Sequence, residues 1–523
     1  VMEFPSMGQA RTVLFEREPS GITYRIPALL YIPCMAKLLA FAEERLSVDD
    51  AQANLWDTDG MTPPDPAWSV VWLAPWTLDT ATLKHHRSMN PCPIYDEFTG
   101  VVFLFFIAVL GRTPEAYQII TGQNVVRLCY VSSTDQGQSW SKVTDLTQQV
   151  IGRGTYKVDL EHWATFALGP GHGIQLKSGR LLLPAYAYHI DCKECFGKLC
   201  KTTPHSFTFY SDDHGQSWHF GEFIPNLPSV ECQMVSVDEE DGSNVLYCNA
   251  RSPLGCRVQA LSMDDGAVFH LGQLVQRLVE PPHGCHGSII GFPAPLLYTP
   301  SSPHSRERVS WFINGSDCPL LSQKLARHCH LPLCEVAVGN PAVMSLGSQS
   351  QGYQQPTGAN KPCPSSSHHE THGAMPSAVS CADQRQPDSG AVSKSIFLFQ
   401  TPTWVLYSHP TSSRSRVNMG VYLSTFPRDT DSWTEPWVIY EGPSAYSDLA
   451  YIELPYSEFS ATGIPAMAFA CLYENGRRSP YEQISFSMFT LYEVIQNIPL
   501  RAMSPGLKNV LAKKKRGKSC VMS

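Results

Sequence analysis

Three arginines, each beside a strand-like run, are the residues of this sequence best suited to bind an anion. They are Arg25 in TYRIP, Arg251 in CNARS and Arg416 in SRVNMG. A guanidinium stays charged and binds a carboxylate through two parallel hydrogen bonds. Each of them taken alone is more simply a surface arginine, and they are too far apart in sequence to meet locally. Only a fold that closes on itself would bring them together as a carboxylate clamp.

The elements that must position these arginines are short apolar runs separated by Gly, Pro, Asp and Asn. They include RIPALLYIP, KLLAFAEER, VVFLFFIAVL, GRLLLPAYAY and ISFSMFTLYEV. β-branched and aromatic residues between such turn signals are typical of strands, and helical periodicity is almost absent. The sequence therefore predicts an all-β protein.

A motif of the form S-x-D-x-G-x-S-W occurs twice, with a degenerate third copy. The copies are SSTDQGQSW at 132–140, YSDDHGQSW at 210–218 and LSMDDGAVF at 261–269. In such a turn the Asp accepts backbone amides, the Gly supplies a positive φ, and the closing aromatic packs between sheets. The spacing matches repeated units of about four strands. A calcium loop is excluded because no helices flank the copies and the Glu at position 12 is missing.

Composition limits the classes of protein to consider. The net charge is −8 and only 16% of residues are charged, which disfavours a nucleic-acid partner. The longest apolar run, residues 101–111, is far shorter than the ~20 residues of a membrane helix. The N-terminus shows no readable secretory signal, so we expect a soluble or peripheral protein whose 17 cysteines are reduced.

One long segment breaks the strand pattern. Residues 299–396 are rich in Ser, Pro, Gln and Gly, with too few apolar residues to offset the entropy of ordering. We predict a disordered insertion inside one domain, whose parts are 11–298 and 397–500. An N-terminal extension, 1–10, and a basic tail, 501–523, flank it.

The three copies of the S-x-D-x-G-x-S-W motif, called boxes below, and the segment GITYRIPALLYIP together resemble the sialidase (neuraminidase) family. HRSMNPCP, GPGHG, NARSPLG and AYSDLA are most similar to the vertebrate sialidases, particularly the fourth type, and the likeness runs from Arg11 to Asn497 apart from the insertion. The resemblance implies a six-bladed β-propeller with the boxes on its rim. It also implies an exo-α-sialidase that removes terminal sialic acid from gangliosides, glycoproteins and oligosaccharides, with no metal or cofactor.

The same resemblance assigns the catalytic residues. Asp50 in RLSVDD matches the general acid/base, with Asp49 as an open alternative, and Tyr446 of SAYSDLA matches the nucleophile. A neutral phenol avoids repulsion by the substrate's own carboxylate. Because a free phenol has a pKa near ~10, a base must take its proton, and Glu231 of SVECQ matches that base.

The resemblance also implies further residues in contact with the substrate. It identifies Arg25, Arg251 and Arg416 as the carboxylate clamp. The other residues that it places in contact with the substrate are Arg45, Asn90, Glu115, Tyr186, Tyr188 and His286. His286 stands in GCHGS where the family usually has GCQGS. A larger departure is the segment 51–75, where family members continue with a strand ending in Leu-Arg-Arg-Gly. If this segment misplaces Asp50, the alternative is a catalytically inactive propeller that binds sialic acid.

Two clusters of potential metal ligands fall short of a complete four-ligand zinc pattern, and we predict no metal at either. They are Cys192, Cys195 and Cys200 in one segment and His368, His369 and His372 in the insertion.

The C-terminal tail carries a signal that a propeller does not need. Cys520 begins the last four residues, CVMS, which fit the C-a-a-X form usually farnesylated, behind the basic run KKKRGK. A lipid chain and a basic cluster together meet the two-signal requirement for membrane attachment. We expect an intracellular peripheral membrane protein of the cytoplasm, endomembrane or lysosome. A nuclear localisation signal is the alternative reading of the basic run.

Overall fold

The described part of the chain is almost entirely β structure, as the sequence predicts. A computed structural model describes residues 11–46, 53–61, 75–151, 162–195, 199–239, 241–295, 401–453 and 467–499, with the backbone alone at 53–61, 75–77, 194–195 and 453. All of these residues belong to one unit. The predicted insertion, the N-terminal extension and the tail lie outside them.

The strands form antiparallel blades in chain order, apart from the first strand, β1 (Arg11–Glu16), which belongs to the last blade. The first blade contains β2 (Thr23–Ile32), β3 (Lys37–Arg45), β4 (Ala53–Met61) and β5 (Pro75–Thr77). The second contains β6 (His86–Asp96), β7 (Val101–Leu110), β8 (Val126–Ser133) and β9 (Thr144–Asp145). The third contains β10 (Trp163–Leu168), β12 (Leu181–Cys195), β13 (Leu199–Ser211) and β14 (His219–Phe220), with β11 (Ile174–Gln175) beside β12.

The remaining strands complete a ring of six blades. The fourth blade contains β15 (Cys232–Asp238), β16 (Asn244–Ala250), β17 (Cys256–Ser262) and β18 (Gln273–Val279). The fifth contains β19 (Ser288–Pro293), β20 (Thr403–Pro410), β21 (Val417–Ser424) and the first part of β22 (Trp437–Glu453). The sixth contains the rest of β22 with β23 (Met467–Asn475), β24 (Gln483–Thr490) and β1.

Two features close the ring. The long strand β22 pairs with β21 up to Pro443 and with β23 from Ser444 onward, so one strand serves two blades. The N-terminal strand β1 pairs with β24, with Arg11 opposite Ser487, so the start of the chain completes the last blade. The predicted six-bladed propeller is therefore confirmed.

The core lies between neighbouring blades, because every sheet buries both faces. Along β7, Leu104 and Phe106 pack against Phe41 of the first blade. The alternate residues, including Phe105, pack against Phe207 of the third blade. A strand buried on both faces reads as a continuous apolar run, which explains VVFLFFIAVL.

The repeated motif forms the same turn in all three copies. Ser133 Oγ donates to Asp135 Oδ1 at 2.7 Å, and Asp135 Oδ1 accepts the backbone N–H of Ser139 at 2.8 Å. The turns at Asp213 and Asp264 repeat both contacts. Burial is the largest single effect and would raise the pKa of Asp135, but the hydrogen bonds from Ser139 and Ser133 together outweigh it and lower that pKa to about 2. The predicted structural turns are confirmed.

The closing aromatic of each box joins two blades. Trp140 lies 6.0 Å from the ring of Phe41 in the preceding blade, and Trp218 lies 4.6 Å from Phe105. A fourth, longer turn leads to the buried Trp433, where Ser424 and Ser432 share a hydrogen bond of 2.6 Å. The sequence pattern does not reveal this turn, because extra residues separate Ser424 from the Asp-Ser-Trp sequence that ends at Trp433.

Helices are few in the described residues. They are α1 (Glu115–Thr121), α2 (Thr147–Val150) and α3 (Leu491–Asn497), besides a 3₁₀ turn at Pro33–Met35. Within the described ranges, none of the helices has both the length and the apolar character to cross a membrane.

One expectation about the cysteines is wrong. Cys192 is disulfide-bonded, whereas reduced thiols were expected throughout. The hairpin of β12 and β13 folds the cysteine-rich segment DCKECFGKLC back on itself, which favours such a contact. Cys200 in the same segment is a free thiol, as are the buried cysteines of the described core.

Candidate active site

A cavity of about 290 Å³ lies among the innermost strands of the blades. These strands, β2, β6, β10, β15, β19 and β22, surround the centre of the propeller. Most of the residues predicted from the sequence line the cavity together. They are Arg25, Arg45, Asn90, Glu115, Tyr186, Glu231, Arg251, Arg416 and Tyr446. Ring closure therefore brings together side chains from all over the chain.

Irregularities in three innermost strands lie at the residues that face the cavity. The pairing of β2 with β3 shifts register just after Arg25, where Ile26 has a φ of 59°. The pairing of β6 with β7 shifts around Asn90, which has a φ of 55°. The pairing of β22 with β23 shifts around Tyr446. Such bulges re-aim a side chain, and they occur preferentially beside active sites.

The three predicted clamp arginines all line the cavity, and each is anchored by the protein. Arg25 Nε donates to Glu474 Oε1 at 2.6 Å. Arg416 Nη2 donates to the carbonyl of Gly284 at 2.8 Å, and Arg251 Nε donates to the carbonyl of His283 at 3.0 Å. Fixed guanidinium groups lose little entropy when they bind a carboxylate.

Gly284 allows two of these arginines to approach each other. Its φ is +69°, and a Cβ there would lie 2.7 Å from Arg251 Nε. Its carbonyl also accepts the hydrogen bond from Arg416. Any larger residue would displace Arg251, so a glycine is required between the two guanidinium groups.

Tyr446, Glu231 and Arg251 form one hydrogen-bonded group. Tyr446 Oη donates to Glu231 Oε1 at 2.6 Å. Arg251 Nη1 donates to Glu231 Oε2 at 2.6 Å and to Tyr446 Oη at 3.0 Å. Both the phenol and the carboxylate are buried. The predicted nucleophile and its predicted base are thus in direct contact.

The protonation states of this pair follow from burial and charge. Burial first, and then the Glu231 carboxylate, raise the pKa of Tyr446 well above its ordinary value. Burial would also raise the pKa of Glu231, but the Arg251 guanidinium and the other donors around the carboxylate outweigh it and lower that pKa. The group therefore holds a neutral phenol donating to an ionised carboxylate, which is the arrangement that a base-assisted nucleophile needs.

Two carboxylates that the sequence analysis missed position predicted residues. Glu43 accepts from Arg45 Nη2 at 2.6 Å and, through its other oxygen, from the backbone N–H of Asn90 at 2.6 Å. Glu474 accepts from Arg25 and from the backbone N–H of Tyr446 at 3.1 Å. In FAEER, period-2 alternation places Glu43 on the same face as Arg45 and could have indicated it. No comparable pattern marks Glu474.

The other side of the cavity is built by Glu115 and aromatic residues. Tyr186 Oη donates to Glu115 Oε1 at 2.9 Å. Gln118, one turn along α1 from Glu115, is buried and lines the cavity, and the sequence analysis did not indicate it. Tyr188 does not line the cavity: its half-buried ring lies 6.2 Å from the ring of Tyr186. Tyr188 therefore supports Tyr186, and its direct contact with substrate stays a prediction.

His286 also lies behind the cavity rather than in its wall. Its side chain is fully buried, and its ring centre lies 5.4 Å from that of Tyr446. His286 is not among the residues that line the cavity, and its contact with substrate stays a prediction.

Some predictions fall outside the described residues: Asp50, its rival Asp49, Cys520 and the histidines of the insertion. The segment that departs from the family pattern is partly described. Its residues Ala53–Met61 form β4, with Ala53 paired to Arg45, and so it still supplies the third strand of the first blade. Across the described ranges, no group of three or more His, Cys, Asp or Glu side chains is arranged to hold a metal ion.

A six-bladed propeller with box turns and an arginine-lined central cavity defines a sialidase-type glycoside hydrolase. A family model described as "BNR repeat-like domain" matches residues 47–282. The chain is 49% identical to mouse sialidase-4 and 48% identical to human sialidase-4, over 95% of this chain and 96% of each relative. Human sialidase-3 is 40% identical over 94% of this chain and 95% of that protein.

Solved structures agree on the fold. A Hadza microbial sialidase, Hz136, superposes with a TM-score of 0.57 at 17% identity, covering 92% of this chain and 69% of that one. The intramolecular trans-sialidase of Ruminococcus gnavus gives a TM-score of 0.53 at 14% identity, covering 94% and 99%. The chain belongs to the sialidase family, and it is a glycoside hydrolase most similar to the sialidase-4 type.

Proposed function

We propose that this protein is a retaining exo-α-sialidase with Tyr446 as its nucleophile. Its substrates are terminal α-linked sialic acids of gangliosides, glycoproteins and oligosaccharides. The observation that carries the proposal is the hydrogen-bonded group of Tyr446, Glu231 and Arg251 in an arginine-lined cavity. Sialidase activity is what the names of the relatives state, and the nucleophile and mechanism are proposed from this geometry.

The arginines support the assignment of the substrate's carboxylate site. The Cζ atoms of Arg25 and Arg416 lie 5.5 and 5.4 Å from the centre of the Tyr446 ring, and Arg251 is hydrogen-bonded to its oxygen. Sialic acid carries its carboxylate on the anomeric carbon. A carboxylate bound by this clamp brings that carbon next to Tyr446 Oη, as a near-attack geometry requires.

The proposed first step forms a bond between Tyr446 Oη and the anomeric carbon while the glycosidic bond breaks. The phenol proton passes to Glu231 Oε1, 2.6 Å away. The leaving oxygen takes a proton from Asp50, in the role that the family resemblance implies. In the second step Asp50 accepts a proton from water, the water oxygen displaces Tyr446, and Glu231 returns its proton to the phenol. Two inversions at the anomeric carbon give net retention.

The remaining lining residues fit the uncharged parts of the sugar. Asn90 lies beside the apolar side chains of Met89 and Ile107, a combination suited to an N-acyl group. Glu115 and Tyr186 offer hydrogen-bonding groups for a glycerol chain. These pocket assignments follow the family resemblance together with the polarity of each part of the wall.

The proposal is tested by following hydrolysis of an α-sialoside by proton NMR. We expect the released sialic acid to appear first as the α anomer and then to equilibrate to β. Initial appearance of the β anomer would exclude a covalent tyrosyl intermediate. Binding of the sialoside without any release would instead indicate the non-catalytic sialic-acid-binding propeller.

We also propose that the tail attaches the enzyme to membranes through farnesylated Cys520 and its basic run. One lipid chain binds a membrane only marginally, and each basic residue adds about 1 kcal/mol at an anionic surface. We expect Cys520→Ser to move the protein from the membrane fraction to the soluble fraction without changing turnover of a soluble sialoside. Ser519→Ala is the matched control.

An unchanged membrane fraction in Cys520→Ser would contradict lipid attachment. If both the Cys520→Ser variant and the wild-type protein accumulated in nuclei, the basic run would be better explained as a nuclear localisation signal. Attachment to an endomembrane or lysosomal membrane would bring the cavity close to glycolipid head groups exposed on the same leaflet.

A further inference from the structure

His286 is a buried titratable side chain for which the proposed mechanism has no role. It is fully buried, and neither ring nitrogen has a hydrogen-bond partner among the described residues. Its ring lies against Tyr446, with the centres 5.4 Å apart and the planes tilted by 49°. An imidazole without hydrogen bonds is costly to bury, and more costly if it is charged. Its place beside the nucleophile therefore calls for a functional account.

The backbone around His286 is fixed on both sides. Arg257 Nη1 donates to the carbonyl of Cys285 at 2.9 Å, and Glu280 Oε2 accepts the N–H of Cys285 at 2.9 Å. Arg257 and Glu280 are themselves a fully buried ion pair. On the other side, a Cβ on Gly287 would lie 2.7 Å from the Tyr407 ring. The backbone on either side of His286 is thus fixed, which holds its buried imidazole beside Tyr446.

Charges of both signs face this ring, and they act on its pKa in opposite directions. The charged or titratable groups around it are Tyr446 and Asp448 on β22, Glu231 before β15, Arg251 after β16, Arg257 on β17 and the adjacent Cys285. The carboxylates favour a proton on His286, whereas the two guanidinium groups oppose it. Because these charges offset one another, burial decides, and the ring is uncharged at neutral pH.

We propose that His286 is a positioning residue for the nucleophile: its uncharged ring supports Tyr446, and its protonation sets the acid limit of turnover. This inference rests on the proposed function, because it concerns the transfer of the phenol proton to Glu231.

The reason lies in the charge change of the first step. When Tyr446 Oη bonds to the anomeric carbon and its proton moves to Glu231, the negative charge of Glu231 disappears. A cation at His286 stabilises the Glu231 carboxylate before the step, and this stabilisation is lost after it, when only Asp448 remains as an anion beside the ring. It also repels the positive charge that develops on the sugar ring. Protonated His286 therefore raises the barrier, and neutral His286 does not.

The direction of the titration agrees with this assignment. Burial lowers the pKa of His286 to about 4, against the opposing effect of Glu231. The ring stays neutral above that pH and gains its proton as the pH falls through it. Because the ordinary value is 6.5, the unfolded chain binds this proton first, and the stabilisation due to the neutral ring is lost as the pH falls from about 6.5 towards about 4.

The test compares the pH profiles of kcat and KM for the full-length wild type and His286→Gln. Gln is close to His in size and stays neutral at every pH. We expect the acid limb of kcat to move to lower pH by about one unit, since its midpoint reports groups in the enzyme–substrate complex. KM should show no matching shift. His219→Gln, at an exposed position on β14, is the matched control and should keep the wild-type limb.

An acid limb of His286→Gln that coincides with the wild-type limb would overturn the inference, because a purely structural role changes the height of the profile and not its midpoint. Thermal unfolding at each pH separates loss of fold from loss of turnover. If His286→Gln does not fold, His286→Asn provides the same comparison. A wild-type protein inactive at every pH would overturn the proposed function and this inference with it, whereas an active wild type with an unmoved limb overturns this inference alone.

Discussion

Tyr446→Phe is expected to abolish turnover while leaving a transition-state-analogue inhibitor bound. The substitution keeps the ring between Arg25 and Arg416 and removes only the oxygen that donates to Glu231. Loss of a covalent nucleophile costs a factor of about 10³ or more in kcat. The measurement is kcat on a fluorogenic sialoside, with inhibitor affinity determined by calorimetry.

Tyr473→Phe is the matched control for this variant. Tyr473 is also fully buried, and its hydroxyl contacts only Ser487, at 3.2 Å, in the same blade. We expect it to lose some stability and to keep its turnover. If Tyr446→Phe retained kcat within tenfold of the control, Tyr446 would not be the nucleophile, and a role in binding would have to be considered for it.

Glu231→Gln is expected to lower kcat by about 10² to 10⁴, the contribution of a positioned general base. An amide of the same size cannot take the phenol proton, so Tyr446 must attack without losing it. The variant also removes the anionic partner of Arg251, which lies 2.6 Å away. Because the clamp remains, we expect a smaller change in KM than in kcat, which steady-state kinetics will show.

Glu239→Gln controls for the removal of a buried, ion-paired carboxylate from the same blade. Glu239 is almost fully buried and pairs with Arg428 Nε at 2.9 Å, and it does not line the cavity. A kcat loss in Glu231→Gln no larger than in Glu239→Gln would mean that Glu231 acts through stability and not as a base.

The features of the fold that follow from local chemistry were predictable. The box turns need only Ser, Asp and Gly at fixed offsets, and their hydrogen bonds join residues within four positions of each other. The strands were predictable from apolar runs because each blade is buried on both faces. The disulfide of Cys192 and the turn before Trp433 were not, since a disulfide depends on tertiary contact and this turn on an interrupted motif.

The residue types of the site were predictable, but their supports were not. The resemblance named Arg25, Tyr446 and Glu231, and the cavity brings all three together. Glu474, which joins Arg25 to the backbone of Tyr446, carries no motif, because its partners lie 449 and 28 positions away in the chain. The resemblance placed His286 at the substrate but did not indicate that its ring is fully buried against Tyr446, because burial depends on residues distant in the chain.

By itself, the sequence determined all-β structure, the box turns and a tail with a lipidation motif, because each of these depends on residues close together in the chain. The propeller and the candidate catalytic set were implied by the family resemblance. Tertiary structure alone decided which side chains meet. Closure of the ring by β1 and the shared strand β22 gathers arginines from three blades, and the bulges at Arg25, Asn90 and Tyr446 turn their side chains to the cavity. Contacts of this kind depend on register and burial across the whole ring, which no local pattern encodes.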